Sequence, residues 1–395
     1  SLMKNNEHTL EFLTELDDLF IANLLKMENP DRIASLIQNA STNEQSYILA
    51  SLDNNQAQSV INKLKIEEKE ELEELMAYPE DSAGALMSTD VFTLFKDTTC
   101  REALKTLQDH KDAEMVFYIY ITDDDNSLVG VASLRALATT NSKTKLKEIM
   151  VKKVHKVRPE TDQEEVAQLV AQYNYLAVPV VDTDNILLGI VTVDDVVDVI
   201  REEATEDFLQ MAGAGKDREI LLKSSWENAK IRIPWLLASW FGGIIASYVI
   251  GNFEKMLENI IVLASFIPII IGMGGNIGTQ SSTIIVRGMA TGRITIGNEL
   301  TIILKELKTG LILGVLYGIM LGVFAEFRFI DTNPLIGVVV GLSICSSMII
   351  ATGVGTVTPL ALRKLDIDPA IATGPFVTTS IDILGVFLYF LIAGL

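Results

Sequence analysis

Two hydrophobic patterns divide this chain. From residue 233 to the end, apolar residues run almost unbroken in five blocks, 233–253, 257–289, 300–327, 334–362 and 369–395. Each is long enough to cross a bilayer of about 30 Å, which takes about 20 mostly apolar residues. Apolar residues run all round these blocks, which argues against buried core helices of a soluble protein. The second and third blocks are long enough to include an interfacial turn. Five is an odd number, which argues against an internal inverted repeat.

The first half is patterned differently. Residues 3–77 read as short amphipathic helices, with Leu10, Leu13, Leu16, Leu19 and Phe20, then Ile33, Leu36 and Ile37, then Val60, Ile61 and Leu64 on apolar faces. Residues 65–74 form a charge-dense, solvated helix. Residues 78–200 then show one pattern twice, about 78–148 and 149–200. Leu86-Met87 and Ile149-Met150 each open a copy, an amphipathic helix follows (99–109 and 163–173), and a strand, an acidic turn and a strand close it. The turn Asp123-Asp124-Asp125-Asn126 lacks the downstream glutamate of a calcium loop and is predicted to be a hairpin turn, as is Asp182-Thr-Asp184-Asn185. Residues 201–230 connect the halves as an acidic helix, leaving 231–395 as the membrane domain. The expected fold is therefore multidomain: an α-helical N-terminal domain, an α/β tandem pair, and an all-α membrane domain of five helices.

Charge sharpens the division. Residues 1–220 carry a balance of −21 and residues 221–395 one of +1, so the whole acidic excess of the −20 chain lies in the first half. Such a field repels nucleic acid and attracts cations. Cys100 and Cys345 lie in different halves, and His8, His110 and His155 have no ligand spacing, which leaves no disulfide framework and little basis for zinc chemistry. No signal peptide is expected, since the first membrane-length run comes past the midpoint; Ser1-Leu2 ahead of Met3 reads as a cloning remnant. Lys216, Arg218, Lys223, Lys230 and Arg232 precede the first span, Arg287, Arg293, Lys305 and Lys308 join the second to the third, and Arg363 with Lys364 joins the fourth to the fifth. The positive-inside rule then puts the acidic half in the cytoplasm and the C-terminus outside.

Within the spans, Asp382 stands as a lone deep carboxylate, and an ionised group there marks a functional site by default. The second span carries Gly272-Met-Gly-Gly275-Asn276-Ile-Gly-Thr-Gln280, whose amides hydrocarbon would not tolerate unpaired. In the fifth, Gly374, Thr378 and Asp382 recur at steps of four, and Pro375 is expected to free a carbonyl near Ile371. These positions offer only oxygen, the preference of a hard cation such as Mg²⁺ or Ca²⁺. One Asp cannot make a dehydrated cage, but two Asp382 side chains at a twofold axis can grip a hydrated ion. On the connecting helix Glu203, Glu206 and Asp207 occupy adjacent turns, where like charges repel unless a cation offsets them.

The tandem resembles a CBS-domain pair, whose nucleotide-ribose motif Gly-(Ile/Val)-x-(Ser/Thr)-x-x-Asp is met in the second copy by Gly189, Thr192 and Asp195; the first copy has Ala136 at the aspartate position. With Tyr78-Pro-Glu-Asp-Ser-Ala-Gly84 entering that pair, Pro268 ahead of Gly-Gly-Asn276 and Gln280, and Gly374-Pro-Phe ahead of Asp382, the whole chain resembles the MgtE magnesium transporter family. The resemblance implies a homodimeric, Mg²⁺-selective channel of the cell (inner or plasma) membrane, not an enzyme, that imports Mg²⁺ down its gradient. By the same resemblance Asp382 matches the pore carboxylate, and the acids through which cytosolic Mg²⁺ would close the pore are Asp162, Glu164, Asp195, Asp198, Glu203, Glu206 and Asp207, with Asp53 the contributor left in a shortened N-terminal domain. Some relatives carry an amide where Gly374 stands. ATP at the CBS pair, through Asp195, is a further implied ligand. The alternatives are a broader divalent transporter (Co²⁺, Mn²⁺, Zn²⁺), an ion-coupled secondary transporter, and a membrane-anchored nucleotide sensor; no Gly-Lys-Ser/Thr phosphate loop supports a pump.

Overall fold

A computed structural model describes residues 18–25, 28–38, 40, 42–109, 117–216, 220, 223–294, 297–329, 334–365 and 367–395. The chain forms two compact units, residues 1–201 and 202–395. His8, Leu10, Leu13, Leu16, His110 and Arg218 lie outside the described residues.

Among the described residues the first unit begins with five short helices, α1 (Asp18–Leu25), α2 (Pro30–Ile37), α3 (Thr42–Ala50), α4 (Asn54–Ile61) and α5 (Ile66–Leu75). Asn29 caps α2 by accepting from Asp31 N, and Pro30 sits in the first turn, where its missing N–H has no helical partner to lose. The stripe Ile33, Leu36 and Ile37 is buried as its spacing requires, and Ile33 and Ile37 join Ile48, Leu49, Val60 and Ile61 in a shared interior. In α1, Ile21 and Leu25 take the buried face while Phe20, expected on it, is exposed. The charge-dense α5 buries only Leu72 and Leu75 among its described side chains.

The repeat follows. Its first copy is α6 (Ala83–Leu86), β1 (Thr93–Phe95), α7 (Cys100–Asp109), β2 (Tyr118–Thr122), β3 (Leu128–Ser133) and α8 (Leu134–Thr139). The second is α9 (Leu146–Ile149), α10 (Gln163–Tyr173), β4 (Ala177–Val181), β5 (Leu187–Thr192) and the long α11 (Val193–Met211). β1 pairs parallel with β2, and β2 antiparallel with β3; β4 pairs antiparallel with β5, and Val157 bridges Val180 in the parallel sense at the place of β1. Both hairpins turn through a left-handed asparagine, Asn126 (φ 61) and Asn185 (φ 68). Asp123 Oδ1 accepts from Asp125 N and Ser127 N, and Asp182 Oδ1 from Asp184 N and Ile186 N. The acidic turns are thus held by their own backbone, as hairpin turns should be.

The copies exchange edges: Ser88 and Ile190 trade backbone bonds at 2.8 and 2.9 Å, Val131 and Val151 at 3.1 and 2.8 Å. This close approach explains the glycine of each closing strand. A Cβ on Gly189 would lie 2.7 Å from Ser88 O, and one on Gly130 would lie 2.7 Å from Met150 Sδ.

Among the described residues of the second unit five helices are long and apolar enough to cross a membrane: α12 (Ser225–Gly251), the stretch Ile261–Ala290, α15 (Glu299–Phe329), α16 (Ile336–Lys364) and α17 (Pro375–Ala393). The second block breaks where an interfacial turn was expected: α13 (Glu254–Asn259) leads into a 3₁₀ turn, Ile261–Phe266, and α14 runs Ile267–Ala290. The fifth also divides, differently from expectation. Residues Pro369–Thr373 form a 3₁₀ turn and Pro375 begins α17 instead of interrupting it, so the missing N–H leaves no helical carbonyl unpaired.

These helices pack through small residues, as membrane helices must where lipid provides no hydrophobic drive between them. Gly314, Gly318 and Gly322 of α15 lie against the Cys345, Gly341 and Gly337 carbonyls of α16, where a Cβ would come within 2.9, 2.7 and 2.7 Å. Tyr389 of α17 donates to Leu263 O at 2.8 Å, tying the last helix to the 3₁₀ turn.

Candidate pore and regulatory acids

α14 has two faces. Gly274, Ile277, Gly278 and Ser281 are buried, whereas Gly272, Asn276 and Gln280, at steps of four, are exposed on the single chain. Gly275 lies beside that exposed stripe, and a Cβ there would stand 4.0 Å from Asp382 Oδ1. The half-buried Asp382 carboxylate therefore rests against bare backbone of α14, with the two amides on the adjoining face. Gly374 caps α17, and Thr378 Oγ1 donates to Gly374 O at 3.3 Å and Pro375 O at 3.4 Å, keeping its lone pairs available. Gly275 and Asp382 are thus brought together, with Asn276 next to Gly275 on the exposed face of α14; Gly374 and Thr378 are joined to each other at the start of α17.

A second acid lies in the bundle that the sequence reading passed over. Glu306 of α15 is 9 % exposed and accepts from Ser281 Oγ at 3.0 Å. Its sequence signal was its place within the third apolar block; its neighbours Lys305 and Lys308 made it look like part of a charged boundary.

The regulatory candidates are dispersed and mostly engaged locally. Asp53 caps α4 through Asn55 N and Gln56 N at 3.1 and 2.9 Å. Asp162 caps α10 through Glu164 N at 2.8 Å, and Glu164 accepts from Gln168 Nε2 at 3.4 Å. Asp195 accepts from Thr192 N and Oγ1 at 3.1 and 2.5 Å; burial pushes its carboxyl up, against those bonds. Asp198 stands 3.5 Å from Arg201 Nη2 on an exposed turn. Glu203 is half-buried on α11. Among the described residues no three His, Cys, Asp or Glu side chains gather closely enough to hold a metal ion.

The end of α11 is different. Gln210, 1 % exposed, donates from Nε2 to Glu206 Oε1 at 3.0 Å and to Asp368 Oδ2 at 2.8 Å. Lys216 Nζ lies 2.7 Å from Glu206 Oε1 and 3.5 Å from Asp368 Oδ2. Burial first, and Asp368 next, push the Asp207 carboxyl up to about 6, with Arg287 drawing it the other way. Gln210, Lys216 and Asp368 were invisible as partners in the sequence, Asp368 being 158 positions from Gln210.

Three family models match: the "Divalent cation transporter" model MgtE over residues 267–392, the CBS domain over 83–140 and 146–202, and the MgtE intracellular N domain over 2–81. A magnesium transporter MgtE of Enterococcus faecalis is 38% identical over 83% of this chain and 72% of its own length. The chain belongs to the MgtE family. An MgtE magnesium transporter of Bacillus subtilis is 35% identical over 93% of the chain and 78% of its own length. Among solved structures, the cytosolic domain of the Mg²⁺ channel MgtE in complex with ATP is 37% identical, covers 49% of this chain and 80% of that one, and has a TM-score of 0.48. As an MgtE-family chain with five apolar helices, this is a multi-pass membrane protein of a non-enzymatic family.

Proposed function

We propose that this chain is a magnesium-selective channel that imports Mg²⁺ down its electrochemical gradient and is closed by cytosolic Mg²⁺. The observation that carries the reading is the approach of Asp382 to the bare backbone of Gly275, on a helix whose neighbouring face exposes the amides Asn276 and Gln280. Amides turned toward hydrocarbon cost several kcal/mol each, so this face calls for a water-filled path. A second copy of the chain supplies one. A homodimer with α14 and α17 at its axis brings two Asp382 carboxylates to a dication, and Mg²⁺, reluctant to shed water, suits a grip through its hydration shell. Gly374 and Thr378 add backbone and hydroxyl oxygens at the cytoplasmic end.

The acidic head is the sensor in this reading. Glu203, Glu206 and Asp207 with Asp195 and Asp198 line α11, while Asp53, Asp162 and Glu164 sit on other elements, within the first unit. Their ligand chemistry, all carboxylate oxygen, fits a hard cation; the single chain gathers no three of them, so a Mg²⁺ ion draws them from both chains of the dimer. With ions present the charges are offset; without them repulsion spreads the subunits and frees the pore mouth. Basic residues flanking the spans support a cytoplasmic head and an outer C-terminus. Thr192 and Asp195 beside Gly189 support a nucleotide such as ATP at the second CBS copy.

A second reading, transport of other divalent ions as well, is favoured by the family model's own description. One experiment separates these. Mg²⁺ flux into proteoliposomes is measured for the intact chain and Asp382→Asn, at low and high sensor-side Mg²⁺, with Ca²⁺, Co²⁺ and Mn²⁺ as competitors. Loss of flux in the variant and suppression by sensor-side Mg²⁺ support pore and gate together. Flux indifferent to Asp382 removes the pore assignment, and equal flux of the competitors favours the broader transporter.

A further inference from the structure

We propose that Lys216 is a built-in counterion that latches the end of α11 to the entrance of the pore helix α17, so that part of the closed arrangement is held without any divalent ion. The proposal rests on the gated-channel reading above and adds to it a charge that the protein itself supplies.

The argument starts at the turn. α11 stops at Met211, and the chain reverses through Gly213 (φ 68) and Gly215 (φ 93), left-handed positions that a side chain would strain. This reversal carries Lys216 back beside the helix it has just left. Its ammonium meets Glu206 at 2.7 Å and Asp368 at 3.5 Å, one acid from each of two segments far apart in sequence. The buried Gln210 amide spans the same two carboxylates. A single amide serving two anions would leave their repulsion uncompensated; the ammonium offsets it.

The network pulls on the pore through Asp368. Its Oδ1 accepts from Ala370 N at 2.8 Å, fixing the 3₁₀ turn Pro369–Thr373 that hands the chain to α17. At the junction the two segments lie within contact distance. A Cβ on Gly374 would lie 3.5 Å from Gln210 O and 3.6 Å from Gly213 Cα, and one on Gly213 would lie 3.5 Å from Pro375 Cδ. The end of α11 is therefore seated on the first residues of the segment that carries Asp382. Lys216 remains 59% exposed, which keeps its ion pairs in the weak range: the latch biases the mouth toward closure and does not lock it.

Two effects of opposite sign are distinguishable. A latch makes closure easier, so removing it raises the Mg²⁺ needed to close. A competitor for Glu206 would do the reverse. The test uses the full chain in proteoliposomes, titrating sensor-side Mg²⁺ against flux. Lys216→Gln is expected to move the closing midpoint to about two- to five-fold higher Mg²⁺ with Mg²⁺-free flux no lower than the parent's, and Lys216→Arg to return the midpoint to the parent value. A second readout does not depend on gating: backbone hydrogen exchange over 206–213 and 369–374 in Mg²⁺-free nanodiscs. Lys216→Gln is expected to speed exchange several-fold in both segments, and Lys216→Arg is not. If parent flux ignores sensor-side Mg²⁺, the gating reading fails and the exchange result alone judges the latch. Unchanged exchange in Lys216→Gln, or a midpoint moved to lower Mg²⁺, overturns it.

Discussion

Replacing Gly278 by alanine tests whether the Asp382 position depends on helix packing rather than on chain order alone. A methyl carbon at Gly278 would overlap Ile381 Cδ1 outright, and Ile381 is the residue before the candidate pore carboxylate. Overpacking of this kind costs about 1–3 kcal/mol and is relieved by moving side chains or backbone. Here relief displaces the start of the turn that aims Asp382 at Gly275. Removing the offending atom instead should cure the clash: with Ile381→Val the nearest remaining neighbours of the new methyl are Ala351 O at 3.3 Å and Ile381 Cγ1 at 3.5 Å, close to ordinary contact. Ile381→Val alone costs about 0.5–1.5 kcal/mol for its lost methyl group. The expected pattern is that Gly278→Ala lowers both the thermal midpoint in detergent and Mg²⁺ flux, while the double variant recovers most of each. The coupling should reach about 1 kcal/mol, as for residues in direct contact. A double variant at or below the sum of the two losses would refute the packing argument.

Three further outcomes are expected. Glu306→Gln keeps an acceptor for Ser281 Oγ and should hold flux within about two-fold, whereas Glu306→Leu should cost about 1–2 kcal/mol of thermal stability; a selective flux loss in the glutamine variant would assign the charge to transport. Tyr389→Phe strands the Leu263 carbonyl inside the bundle and should cost about 1–3 kcal/mol in the same melt, with no change if that carbonyl finds water. Gly84→Ala places a methyl 2.5 Å from Tyr78 Cγ, so limited proteolysis of residues 78–86 should accelerate; an unchanged rate would show that the ring simply swings aside.

The division of labour between sequence and tertiary structure is physical. Periodicity is a local property, so the five apolar blocks, the α2 stripe, the two-fold repeat and the asparagine turns could be read from residues a few positions apart. Motif chemistry is local too: Asp382 within an apolar block announces itself wherever it points. Pro375 was misjudged because its effect depends on whether a helix already precedes it, and the 3₁₀ turn there is set by Asp368 and the packing of Gly374. Glu306 was overlooked because burial of a carboxylate depends on its partner, Ser281, 25 positions away on another helix. The same holds for Gln210 and Lys216, whose meaning comes from Asp368. Chain order alone determined that this is a membrane protein with an acidic head and an oxygen-lined candidate path. Only the fold decided which oxygens meet, because through-space electrostatics and steric fit act between residues that the sequence keeps apart.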